Sequence, residues 1–240
     1  MIGRHAGRPV VLAGASLAGC LALGALLGRD PLLGLEIAGV ALVALWAALV
    51  AQDLVRARRL AAALSADAVE ASLFGISCWV SPALGLDAIV IGAVRPRIFI
   101  GDALLTALAE DELRAVVYHE DHHRRTRAPI RAAALQAWLR LLGHSAWARG
   151  PILDRLADLE VLADADAIRR GSSARSLVRA LLKDDASPRA VAFAHAADRR
   201  IRRLLNTAAG GPADPPVRQP YEWLLGVLLA VAVIGCHVGF

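Results

Sequence analysis

Apolar residues along this chain follow two rhythms. The first is unbroken. Residues 10–28 hold no charge over 19 positions, residues 32–51 carry only Glu36 near one end, and residues 223–240 are uncharged apart from His237. Nineteen residues make a helix of about 28 Å, enough for the hydrocarbon core of a bilayer. This predicts two membrane-spanning helices in 1–51 and a third in 222–240. Leu17-Ala18-Gly19-Cys20 resembles a lipoprotein cleavage box, but the apolar run continues through Leu27, which favours an uncleaved helix. Glu36 stands where it can reach the interface.

The second rhythm is periodic and fills residues 52–206. Residues 60–72, rich in alanine and leucine, read as a helix against the bilayer or the domain. Residues 73–80 and 87–100 are rich in β-branched and aromatic types and are punctuated by Pro82, Gly85, Pro96 and Gly101. They predict a small sheet with a turn near 93–96. A helix follows over 109–127, stopping before Pro129, with Leu113, Val116, Val117 and Glu120 on its inward face. Residues 129–148 are apolar but hold Arg131, Gln136, Arg140 and His144. They predict a cytoplasmic or interfacial helix with Trp138 and Trp147 at headgroup level, and His144 reads as an interfacial or buried histidine instead of a ligand. A helix over 153–170 and another capped by Ser172 or Ser173 and ending near Lys183 come next. A linker rich in Gly and Pro, 207–221, leads to the last apolar run. The expected fold class is mostly α with a small β-sheet, in an integral membrane protein.

The chemistry centres on Tyr118-His119-Glu120-Asp121-His122-His123, which contains H-E-x-x-H. Each helical residue advances about 100°, so His119 and His123 lie roughly 40° apart and one turn from each other. Both can bind one metal ion. Glu120 falls beside that ion and not on it, where a base for an attacking water must stand. With seven His and seven Glu in 240 residues, roughly 0.006 such matches arise by accident, so the motif outweighs a solvated polar turn. Zinc needs a third protein ligand. Leu159-Glu160-Val161-Leu162-Ala163-Asp164-Ala165-Asp166-Ala167 places Glu160 and Asp164 on one helical face. Glu160 could ligate while Asp164 orients a ligating imidazole; by itself the run also fits an exposed acidic face.

Residues 96–101 (Pro-Arg-Ile-Phe-Ile-Gly), Leu104-Leu105, and 112–120 (Glu-Leu-Arg-Ala-Val-Val-Tyr-His-Glu) resemble the membrane-bound gluzincin peptidases. Two branches fit: antirepressor peptidases of the BlaR/MecR type, and the HtpX/CAAX-prenyl-protease type. The run from Glu160 to Ala167 resembles the third-ligand helix of both. The resemblance implies a zincin-like catalytic domain with His119, His123 and Glu160 as metal ligands and Glu120 as catalytic base. Phe193-Ala194-His195 and Arg199-Arg200-Ile201 resemble a late segment of the HtpX branch. By that likeness His195 would stabilise the oxyanion, with Arg200 supporting it; a surface histidine on a basic helix is the plainer reading. Because zinc peptidases often hold substrate backbone by strand addition, Arg97, Ile98, Phe99 and Ile100 form the candidate substrate strand, with a plain core strand as the alternative. Asp121, His122 and Ala109 depart from the family pattern. His122 could compete as a ligand, and Ala109 replaces a capping serine worth about 1 kcal/mol.

Composition sharpens this reading. The chain is 57% hydrophobic with mean hydropathy +0.50, too apolar for an ordinary soluble enzyme. Net charge is +5 and Lys183 is the only lysine. A basic balance suits an inner-leaflet surface as well as nucleic acid; Arg199, Arg200, Arg202 and Arg203 read as a membrane-facing or solvated surface, and no direct nucleic-acid partner is expected. Cys20, Cys78 and Cys236 lie far apart with no C-x-x-C, so neither a disulfide framework nor a thiolate-bound metal is indicated. Arg4, Arg8, Arg56, Arg58 and Arg59 face Arg29 across the first two spans, so the positive-inside rule puts 52–221 in the cytoplasm. A crossing at 129–148 would separate His119 from Glu160, which argues against a span there. The expectation is a multi-pass zinc endopeptidase of a bacterial cell membrane. It would cut a protein or peptide substrate, a transcriptional repressor among the candidates, with no β-lactam-sensing domain before the chain stops at Phe240. A quality-control protease and an inactive membrane scaffold are the alternatives.

Overall fold

The structure is a computed structural model that describes residues 31–184 and 194–209, leaving aside the side chains of 31–38, 146, 147, 184 and 194–199. It is mostly helical with one small sheet. The order is α1 (Pro31–Ala66), β1 (Val69–Leu73), β2 (Ile76–Ser81), β3 (Ala88–Ile91), β4 (Arg97–Gly101), α2 (Asp102–Ala107), α3 (Glu110–Arg125), α4 (Ala128–Leu142), α5 (Ala146–Arg169), α6 (Ala174–Asp184) and α7 (Ala194–Ala208). From Trp46 onward these elements belong to one compact unit; the first part of α1, to Leu45, belongs to another. The predicted spans at 10–28 and 223–240 lie outside the described residues, as does the linker from 210 on; its first residues, Thr207 and Ala208, end the last helix instead. Among the described residues, one helical stretch, Gly39–Ala66, is long and apolar enough to cross a membrane.

The sheet is mixed, in the order β1-β2-β4-β3, with β2 and β4 parallel and the other pairs antiparallel. Alternation along each strand sends side chains to two faces. Ile76, Cys78, Val90, Ile98 and Ile100 meet Leu113 and Val117 of α3. Phe99 and Ile91 on the other face meet Leu64 of α1, with Ala57 and Ala61 beside it. The sheet is thus sandwiched between α1 and α3. A third cluster, including Ala115, Ala167, Leu177 and Leu204, joins α3 to α5, α6 and α7. The motif helix is therefore enclosed on nearly all sides, which holds it rigidly.

Several sequence expectations change here. Residues 60–72 are not one helix: α1 runs past Ala51 to Ala66, and β1 begins at Val69. The strand expected over 73–80 is interrupted by a turn at Phe74 and Gly75, with φ of 53° and 79°. Two successive positive φ values make a hairpin turn whose twist matches the strands, and glycine adopts one of them without steric cost. The stretch at 129–148 is two elements, with α4 ending at Leu142 and α5 starting at Ala146. Trp138 stacks on Trp46 with ring centres 5.6 Å apart, and Trp46 Nε1 donates to the Ala134 carbonyl at 3.1 Å. His144 is exposed, not buried. Ser173, of the two candidates, caps α6: its Oγ accepts the Ser176 N–H at 3.0 Å.

The candidate substrate strand needs a correction. Phe99 to Gly101 pair with β2 on one side, and Arg97 to Ile100 pair with β3 on the other. Ile98, Phe99 and Ile100 are fully buried. β4 is an inner strand, so its backbone has no free row of donors and acceptors for an added strand.

Candidate metal centre

The start of α3 is secured without a capping hydroxyl. Glu112 Oε2 accepts the Ala109 N–H at 2.9 Å, the half of a capping box that alanine leaves intact. Lys183 at the end of α6 donates to the same oxygen at 2.7 Å. Three turns on, α3 presents His119 and His123, and α5 presents Glu160 and Asp164. α3 and α5 run antiparallel, since His119 meets Asp164 while His123 meets Glu160.

His119 Nε2 and His123 Nε2 are 3.0 Å apart. Glu160 Oε2 lies 3.3 Å from the first, and Oε1 lies 3.4 Å from the second. One ligand atom from each residue falls within 4.8 Å of the others, so the group could hold a metal ion. Bonds of about 2.0–2.1 Å at tetrahedral angles separate ligand atoms by about 3.3–3.4 Å, close to this spacing. His119 Nδ1 is 2.8 Å from Asp164 Oδ1, which fixes an Nδ1–H tautomer and turns the Nε2 lone pair inward. Electron-rich atoms thus converge on one point, an arrangement that calls for a cation between them. Burial and Arg200 act to lower the His119 pKa, yet hydrogen bonds to Asp164 and Glu160 outweigh them and raise it to about 9. Burial would raise Glu160, but His123 and His119 hold it well below the usual carboxylate range. The His123 Nδ1 is buried without a protein partner. Glu160 keeps 26% of its side chain exposed, which leaves the centre open on one side.

Glu120 sits next to His119 on α3, partly buried. Desolvation raises its pKa, with His123 and His119 pulling the other way. Arg200 of α7 grips Asp164 with both arms of its guanidinium, each at 2.8 Å, and its third nitrogen is 3.3 Å from Glu160. Its described contacts therefore support two carboxylates of the centre. His195 lies on α7, and its side chain is outside the described residues. His122 does not join the ligands: its Nδ1 is 3.5 Å from Asp166. Asp121 also turns away and is buried among arginines. The sequence marked Asp121 as a departure from the family pattern but did not show these arginine partners. The repeated spacing D-x-x-x-R, at Asp121 with Arg125 and at Asp166 with Arg170, is the signal that could have found them.

Comparison of the chain with protein-family models, curated proteins and solved structures finds no match.

Proposed function

We propose that this chain is a zinc-dependent endopeptidase of the gluzincin kind, anchored in a bacterial cell membrane with its catalytic domain in the cytoplasm. The observation that carries the reading is the convergence of His119 Nε2, His123 Nε2 and Glu160, with Asp164 behind His119 and Glu120 on the same helix. A zinc ion held by those three side chains would polarise a scissile carbonyl and acidify a water. Glu120, beside such an ion, would be the base that accepts a proton from an attacking water and returns it to the leaving amine. Asp164 holds the His119 tautomer, and Arg200 holds Asp164. On the family resemblance, His195 donates to the developing oxyanion.

The substrate backbone lies along β3 instead of β4. β3 is the edge strand that packs beside α3, and among the described residues it pairs only with β4. The Gly101 N–H donates to the Asp87 carbonyl at 2.9 Å. Residues 87, 89 and 91 therefore face β4, and Ala88 and Val90 direct their backbone groups outward. An extended peptide adds there by main-chain hydrogen bonds. The substrate class is a regulatory protein of the repressor kind. The helical stretch Gly39–Ala66 supports the anchoring.

Glu120→Gln tests the reading. It keeps the size of the side chain but accepts no proton. The variant is expected to bind one zinc per chain like the parent and to lose about 10²–10⁴ in cleavage rate. Metal analysis of the purified protein and proteomics of new peptide ends in cells read both. Identical peptide ends from parent and variant would overturn the enzyme reading in favour of a scaffold.

A further inference from the structure

The two helices that carry the ligands also share the D-x-x-x-R spacing: Asp121 and Arg125 on α3, Asp166 on α5 and Arg170 at its C-terminal end. Because the helices run antiparallel, each aspartate meets the arginine of the other. Arg170 Nη1 donates to Asp121 Oδ2 at 2.7 Å, and Arg125 Nη2 donates to Asp166 Oδ2. Neighbouring arginines complete each carboxylate: Arg124 donates to Asp121 at 2.6 and 2.9 Å, and Arg169 to Asp166 at 2.7 Å. Asp121 keeps 5% of its side chain exposed and Asp166 11%, while Arg125 and Arg170 keep 47% and 31%, so the carboxylates are shielded and the arginines are partly screened by solvent. Residues two apart on a helix differ by about 200°, so this row and the row of ligands occupy opposite flanks of the α3–α5 contact.

On the ligand flank the metal-free helices are tied chiefly by the bond between His119 and Asp164 at 2.8 Å, which leaves the place of Glu160 less constrained. The opposite flank supplies the further constraint. Each cross-helix pair is one charge-assisted hydrogen bond, and Arg125 also donates its Nε to Asp121 at 3.1 Å, so it links the two carboxylates; two such bonds in a reciprocal arrangement oppose sliding of one helix on the other. We propose that Asp121, Arg125, Asp166 and Arg170 form a metal-independent bolt that sets Glu160 against His119 and His123 before an ion arrives. They are positioning residues: they act on the centre through the helices and not by touching it. The proposal rests on the metal-centre reading and assigns the departure at Asp121 a purpose within it.

The test uses the purified full chain in nanodiscs, with Zn(II) and Co(II) as probes in competition with a chelator. The parent is expected to bind one ion per chain. Arg125→Gln and Arg170→Gln are expected to bind one ion about 10-fold more weakly, within the range by which residues that do not touch a site change its affinity. Arg125→Lys and Arg170→Lys should recover part of the loss. Melting of metal-free and loaded forms separates this from a merely structural role. The bolt predicts that the gap between them narrows in the Gln variants; two melting points lowered equally, with unchanged affinity, overturn it. Hydrogen exchange on the metal-free parent needs no variant. Amides of 119–125 and 160–166 should be protected as in the loaded protein, and protection that appears only with metal refutes the proposal. A folded parent that binds neither ion removes the metal-centre reading, and this one with it.

Discussion

Asp164→Asn isolates how the centre depends on what stands behind its ligands. Asp164 is 3% exposed and serves two partners at 2.8 Å, the His119 Nδ1 and the Arg200 guanidinium. Asparagine has one acceptor oxygen and one donor group. Whichever way it turns, its NH2 faces another N–H, so either His119 or Arg200 loses its acceptor. Loss at His119 frees the ring to rotate and lowers its basicity. Partners of this kind change metal affinity by about 10–100-fold, or roughly 1.4–2.8 kcal/mol. Loss at Arg200 breaks a buried ion pair and costs about 3–5 kcal/mol of folding stability, a large share of the ~5–15 kcal/mol typical of a domain. Chelator competition with Zn(II) measures the first effect, and urea unfolding of the metal-free protein measures the second. Arg200→Lys is the control, since it keeps the charge and loses the fork; it should reduce stability more than affinity. Asp164→Ala offers His119 no acceptor in any orientation, so parent-like zinc affinity in folded Asp164→Ala would refute the claim that Asp164 acts on the metal through His119.

Two further outcomes follow from the packing and the charges. In Gly101→Ala, the new Cβ would lie 1.9 Å from the Gly85 carbonyl oxygen, so two backbone segments must separate; the expected loss is about 3 kcal/mol or more, and an unchanged urea midpoint would contradict the close approach. Acidification should weaken the α3–α6 contact. The hydrogen bond from Lys183 lowers the Glu112 pKa, and the hydrogen bond from Ser176 lowers that of Asp111. Carboxylates with depressed folded values contribute stability that is complete above their unfolded pKa near 4, and they lose it as the pH falls through the lower folded values. Metal-free protein should therefore lose stability on titration below about pH 4, and Glu112→Gln should flatten that loss; a slope identical to the parent's would count against it.

Local rules made part of this molecule legible. H-E-x-x-H needs only the 3.6-residue period to bring His119 and His123 together, and Glu160 and Asp164 obey the same period forty residues later. Pro82, Gly85, Pro96 and Gly101 marked the strand boundaries because their backbone restrictions act at the residue itself. Local rules misled where a partner decides. The alanine-rich run after Leu60 suits a helix, yet β1 forms because Val69 to Leu73 find a ladder on β2 through the turn at Phe74 and Gly75. Arg97 to Ile100 look the same from the sequence whether they lie at an edge or inside a sheet; the strand order alone puts them inside. Arg200 and Asp164 are 36 residues apart, and Arg170 and Asp121 are 49 apart. No periodicity links such positions, because their meeting depends on how helices antiparallel in space are stacked, and that is fixed by burial of Ala115, Ala167 and Leu204 and not by any property of the charged residues themselves.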